Sequence, residues 1–185
     1  MRPSKRTAIL EAAQRIVLRE GLAGVTYEAI ADEAGLTKGG VVYHFGSRDE
    51  LVVALAEFLA GRWDAAIVEA AGALADRLTE RERLEVYARE SLQSSSNAEL
   101  RMMLESADVP GARAAWTTIV DRWALPVLDD PPTDEQLDLF VLRLAADGLW
   151  IYDAISADPL DEDLRRRLVE RIARDIRDGD AADGE

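Results

Sequence analysis

At Ser47 with Glu50, at Thr79 with Glu82 and at Thr133 with Gln136, a serine or threonine is followed three residues later by Glu or Gln and then by apolar residues at helical spacing. In that arrangement the hydroxyl accepts a hydrogen bond from a backbone N–H of the first helical turn, while the longer side chain reaches back to the capping residue's own N–H. A helix-start device at each of these places, in a chain where no segment alternates with period two for long enough to compete as a strand, predicts an all-α fold.

The apolar spacing agrees. From Ser4 to Glu20, Ile9, Ala12, Ala13, Ile16 and Val17 recur at i, i+3, i+4, i+7 and i+8, one stripe of an amphipathic helix that Gly21 and Gly24 end. Thr26 is placed to cap a short second helix reaching Ala34, with Gly35 where a left-handed C-cap residue sits; Thr37 caps a brief third helix to about His44, and Gly46 with Ser47 breaks it before a long fourth. Pro110, Pro126, the Pro131-Pro132 pair and Pro159 punctuate the rest, with Pro159 at the first position of a last helix capped by Asp158. About nine helices result. Asp178 to Glu185 reads as a solvated tail of Gly, Ala and acid.

Composition narrows the chemistry. With no cysteine, disulfides and thiolate metal sites are excluded, and the single histidine, His44, has no second histidine with which to build a metal site or a catalytic pair. No enzyme, metal or cofactor is expected. Charges at Arg2, Lys5, Arg6, Glu11 and Arg15, and the lack of any later run of about 18 uncharged apolar residues, predict a cytoplasmic chain, neither secreted nor membrane-spanning. The formal net charge is −14, which at first argues against nucleic acid. Its distribution reverses that inference: residues 1–48 hold seven basic and five acidic side chains, a balance of +2, so the remainder carries −16, and both lysines, Lys5 and Lys38, fall in the first part.

Within that part, Thr26 to Phe45 reads TYEAIADEAGLTKGGVVYHF. Two short helices joined by a Gly-containing turn make a helix-turn-helix. Ala31 and Val41 are small enough for the helices to cross closely, and Ile30 and Val42 are available for further burial. The second of these helices has little to bury outward, and docking in a major groove would give its free face a purpose. Gly39 and Gly40 are costly inside a helix at about 1 kcal/mol each. Either they let the backbone approach DNA closely or they mark a helix that orders on binding.

The stretch from the amphipathic first helix through KGGVVYHF and SRDEL, roughly residues 5–55, resembles the DNA-binding domain of the TetR family of transcriptional regulators. The resemblance implies that Thr26, Tyr27, Thr37, Lys38, Tyr43, His44 and Arg48 meet DNA, beside Gly39 and Gly40. Read from the residues alone, Lys38 addresses either a guanine edge or water, Tyr43 is either a phosphate ligand or a half-buried helix residue, and His44 is better suited to a phosphate than to catalysis. Val42 stands where many members carry a second aromatic, which leaves Tyr43 and His44 more of the positioning work. It also implies a division into residues 1–48 as the DNA-binding domain, 49–178 as a helical ligand-binding and dimerisation domain, and 179–185 as an acidic tail. The partners implied are double-stranded operator DNA, a small-molecule effector and a second copy of the chain, with no membrane.

Beyond residue 50 the sequence is less specific. Phe58, Trp63, Tyr87, Met102, Met103, Trp116, Trp123 and Trp150 have the residue types of an apolar pocket wall, and equally of plain core. Asp147 reads as a solvated acid, a buried hydrogen-bonding group or a partner for a basic ligand. Leu137, Val141, Leu144, Gly148, Ile151 and Ile155 fall on a heptad-like stripe in which Gly148 would permit a close crossing, and Leu164, Leu168, Ile172 and Ile176 recur every four residues on the last helix; the family resemblance implies that these two helices form a two-fold four-helix interface, the alternative being packing inside one chain.

Overall fold

Most of the helices begin where a side chain satisfies backbone donors that the helix itself leaves unpaired. In the computed structural model, which describes residues 4–93, 97–124, 128–156, 158 and 160–179, nine α-helices are present among the described residues, and none of those residues is in a strand. They are α1 (Lys5–Glu20), α2 (Tyr27–Ala34), α3 (Lys38–His44), α4 (Arg48–Ala71), α5 (Glu80–Gln93), α6 (Asn97–Glu105), α7 (Pro110–Trp123), α8 (Asp134–Ile155) and α9 (Glu162–Asp178). Ser4, Thr26 and Thr37 cap α1, α2 and α3 by accepting from the N–H groups of Thr7, Ala29 and Gly40.

The three capping boxes differ in detail. Thr133 and Gln136 form the full reciprocal pair, as do Thr79 and Glu82. At α4 the Ser47 hydroxyl accepts from Glu50 N–H, but the Glu50 carboxylate reaches one residue further back, to Gly46 N–H at 2.9 Å. The last helix corrects the expected cap: Asp161, not Asp158, accepts from Leu164 N–H at 3.0 Å, and α9 starts at Glu162. Asp158 instead pairs locally with Ser156. Pro126, Pro159 and residues 180–185 of the expected tail lie outside the described residues.

The helices pack as two compact units, Met1–Arg62 with Ser96–Thr118, and Trp63–Ser95 with Ile119–Glu185. Residues 49–62 and 97–118 therefore pack with the N-terminal helices, although the sequence suggests a single C-terminal domain from residue 49. In the first unit, Ile9, Ala12, Ala13, Ile16 and Val17 of α1 are buried together with Ile30, Ala31, Val41, Phe45, Leu51, Leu55 and Leu59. There α7 approaches α4 closely: a Cβ on Gly111 would stand 2.8 Å from a Val53 methyl, so only glycine fits.

In the second unit α5 packs against both α8 and α9. Val169, Ala173 and Ile176 are the buried face of α9. Arg81 fixes the arrangement by donating to the Glu135 carboxylate at 2.8 Å and to the Ile176 carbonyl at 2.9 Å.

Candidate nucleic-acid interface

The α2–α3 pair is held from behind and left open in front. Ala31 and Val41 are buried at the crossing, as their size predicts, and Gly35 takes the left-handed conformation (φ 65°) that lets Leu36 N–H close on Ala31 C=O at 2.8 Å. Glu33 ties α2 to α1 by accepting from Arg15 at 2.7 Å and Arg19 at 2.9 Å; these two guanidinium groups hold its carboxyl below the usual carboxylate range. At the other end of α1, Arg6 stacks 4.4 Å over the buried Phe45 ring and donates to His44 C=O.

What remains outward is Thr26, Thr37, Lys38, Gly39, Val42 and Tyr43, all exposed, with Tyr43 at 86%. His44 and Gly40 are half-buried, and the Tyr43 and His44 rings meet edge to face at 5.4 Å. A Cβ on Gly39 would meet nothing within 4 Å, so the backbone there is open to an approaching surface. Thr26 and Thr37 accept the capping bonds, which leaves each hydroxyl its own proton to donate.

Three of the expected side chains behave differently. Val42 is exposed rather than part of the crossing, because Val41 already fills it and the next residue of a helix points about 100° away. Tyr27 is half-buried, and its hydroxyl is enclosed without a hydrogen-bond partner. Arg48 is exposed, but its guanidinium is engaged by the protein itself: it donates to Val25 C=O at 2.9 Å and Leu22 C=O at 3.3 Å, clamping the α1–α2 turn to the start of α4. Sequence reasoning missed the partner of that clamp. Glu105, the last residue of α6, accepts from Leu22 N–H at 2.9 Å, a contact across 83 residues that no local pattern announces.

The eight aromatic and methionine residues expected in a pocket divide between the units. Phe58, Met102, Met103 and Trp116 belong to the first; Trp63, Tyr87, Trp123 and Trp150 belong to the second. In the second unit Trp63 lies 5.6 Å from Tyr87 and 6.3 Å from Trp150, ring centre to ring centre. The Tyr87 hydroxyl donates to Asp147 at 2.7 Å, and Arg143 donates to the other oxygen of Asp147. Burial first, then the Asp147 charge, pushes the Tyr87 hydroxyl well above the usual tyrosine range. Asp147 is thus a hydrogen-bonding group that anchors a buried phenol. Trp123 donates its indole N–H to Asp64 at 2.7 Å, beside an open cleft of about 400 Å³ that Val68 and Leu74 also line.

Along α8, every residue of the expected stripe is exposed: Leu137, Val141, Leu144, Gly148, Ile151 and Ile155, joined by Tyr152. Gly148 has no neighbour within 4 Å of where its Cβ would stand, so it serves no close crossing within the single chain. On α9, Leu164 is exposed and Leu168 and Ile172 are half-buried. Among the described residues no helix is long and apolar enough to cross a membrane, and no group of three His, Cys, Asp or Glu side chains is placed to hold a metal.

An all-helical chain with an N-terminal helix-turn-helix and a second helical unit has the build of a DNA-binding regulator. Residues 9–55 match the family described as bacterial regulatory proteins, tetR family, and residues 81–177 match the tetracyclin repressor-like C-terminal domain. The chain belongs to the TetR family of transcriptional regulators. It is similar to the HTH-type transcriptional regulator TtgR of Pseudomonas putida, 43% identical over 54 residues, which are 29% of this chain and 26% of that relative's length. The HTH-type transcriptional regulator BetI of Paraburkholderia phytofirmans is 26% identical across 96% of this chain and 94% of its own. Among solved structures, the multidrug binding protein EbrR complexed with malachite green superposes with a TM-score of 0.63 at 26% identity, covering 92% of this chain and 98% of that one.

Proposed function

We infer that this protein is a ligand-responsive repressor of the cytoplasm, which grips a palindromic operator as a two-fold dimer and releases it when a small hydrophobic or amphipathic molecule binds the second helical unit. The observation that carries this reading is the outward face of α2 and α3. Thr26, Thr37, Lys38, Gly39 and Tyr43 stand exposed on helices whose inner faces are fully used, as a major-groove reader requires. The exposed apolar stripe of α8, continued by Leu164, supports the dimer, because a lone chain gains nothing by showing seven such positions to water. For the effector, the support is the cluster of Trp63, Tyr87 and Trp150 in the second unit, together with the dye in the EbrR complex.

Coupling between the two sites follows from one continuous helix. α4 begins at Arg48, which holds the turn before α2, and runs unbroken past Trp63 to Ala71. A ligand that shifts the Trp63 end therefore acts on the segment that seats the reading helices. Couplings of this kind are typically about 1 to 3 kcal/mol, roughly 5- to 150-fold, and are reciprocal. The test is a mobility-shift assay on the DNA flanking the protein's own gene, titrated with a panel of aromatic dyes and drugs. Saturable binding of one palindrome, weakened by a compound whose own affinity falls by the same factor when operator is present, is the expected result. Absence of any sequence-selective shift refutes the regulator reading, and equal compound affinity with and without operator refutes the coupling.

A further inference from the structure

On the exposed face of the helix-turn-helix, the Lys38 ammonium of α3 is ion-paired with the Glu28 carboxylate from the first turn of α2, and both side chains stand largely in water. Such a pair contributes little to stability. Its placement is also costly for a DNA binder, since a carboxylate there faces the phosphates unless it finds a donor. In the major groove the available donors are the amino groups of cytosine and adenine.

We propose that Glu28 and Lys38 together read one base pair in each operator half-site, Lys38 donating to guanine and Glu28 accepting from the amino group of the cytosine paired with it. This rests on the DNA-binding reading above. The chemistry selects the pair. A G·C pair presents two adjacent acceptors, guanine N7 and O6, followed by the cytosine N4 donor; a donor beside an acceptor on the protein matches that row. An A·T pair puts the adenine amino group next to N7, where it would face the ammonium. Lysine has three N–H donors, so one holds Glu28 while the others reach guanine, and the ion pair persists in the complex. Lys38 also keeps the Glu28 carboxyl below the usual range, so it remains an acceptor. Because the two charges come from different helices, their order across the groove is fixed, and G·C is distinguished from C·G.

The experiment is selection of duplexes from a random-sequence pool by the full-length protein, repeated with E28Q, E28A and K38Q, followed by titration of single-base operator variants at one salt concentration. Wild-type protein should enrich a palindrome with an oriented G·C pair at a fixed step of each half-site. E28A should lose discrimination at that pair and at no other, by roughly 5- to 150-fold, the range of a good base contact; E28Q, whose amide keeps an acceptor oxygen but adds donors, should lose less at the same pair, and K38Q should relax the same pair. The proposal is overturned if E28Q tightens or weakens all duplexes equally, the behaviour of a simple electrostatic brake, or if the Glu28 and Lys38 variants alter different positions. Failure of wild-type protein to enrich any sequence overturns the DNA-binding reading itself and is distinguished by that control.

Discussion

Replacing Val141 with glutamate on the α8 face should convert the protein into a folded monomer. Val141 is 62% exposed and Leu144 53%, so covering either in a dimer recovers somewhat more than half of a full side-chain burial, about 1 kcal/mol per copy. Leu137, Val141, Leu144, Ile151, Tyr152 and Ile155, counted on both protomers, then give roughly 12 kcal/mol of gross attraction before association costs of about 4 to 15 kcal/mol. A seam with so narrow a margin is sensitive to one charge. V141E removes about 2 kcal/mol of burial over the two copies and brings two carboxylates into an apolar seam at about 2 kcal/mol or more each. The sum of about 6 kcal/mol corresponds to roughly four decades in dissociation constant, whereas V141A, losing burial alone, should cost about 30-fold. Sedimentation velocity over a micromolar concentration series separates these outcomes, and circular dichroism checks that the exposed substitution leaves the helices intact. A V141E protein that remains dimeric with wild-type affinity would refute the assignment of this face.

Other expectations concern the supports of the two units. R48A should lower the melting temperature and weaken operator binding on all sequences alike, since two hydrogen bonds to Leu22 and Val25 carbonyls are lost; their partial exposure limits the effect to about 1 to 2 kcal/mol, and R48K, lacking the fork, should restore less than half. D64A leaves the buried Trp123 indole N–H unpaired at about 1 to 3 kcal/mol, while D64N, which still offers a carbonyl oxygen, should recover most of it in a thermal melt. Burial and Asp147 raise the Tyr87 hydroxyl, so the folded state keeps a proton that the unfolded chain loses above about pH 10. The corresponding stability is present below that pH and is lost as pH rises beyond it. Denaturation midpoints measured up the alkaline range should fall less steeply for Y87F than for wild type.

What could be read from the sequence was what short-range chemistry dictates. Ser4, Thr26 and Thr37 cap helices because a hydroxyl three residues from an orphan N–H has one obvious partner, and Gly35 is left-handed because few other residues tolerate that turn. The α8 stripe was legible for the same reason: seven-residue spacing is a property of one helix, and all its positions prove exposed. What escaped was any contact whose partners lie far apart in the chain. Arg48 sits next to a DNA-facing motif and was expected to meet DNA, yet its guanidinium is taken by carbonyls 23 and 26 residues earlier. Val42 looked like core until Val41 proved sufficient. The aromatic set could be named but not partitioned, because identity does not reveal which of eight side chains share a unit.

The turn between α1 and α2 shows why the reading helices cannot be treated as a module that ends at residue 48. Gly21 enters it at a positive φ of 73°, and both polar groups of Leu22 are then taken by distant side chains: its N–H by Glu105 of α6, its carbonyl by Arg48 of α4. Arg48 also takes the Val25 carbonyl, one residue before the Thr26 cap from which α2 departs. Arg101 closes the remaining side, its guanidinium pairing with Glu105 and standing 3.1 Å from where a Gly21 Cβ would be. The direction of α2, and through the Gly35 turn that of α3, is thus set by residues up to 83 positions away in sequence but within one compact unit. The turn from which the reading helices depart is therefore held by two separate helices, α4 through Arg48 and α6 through Glu105.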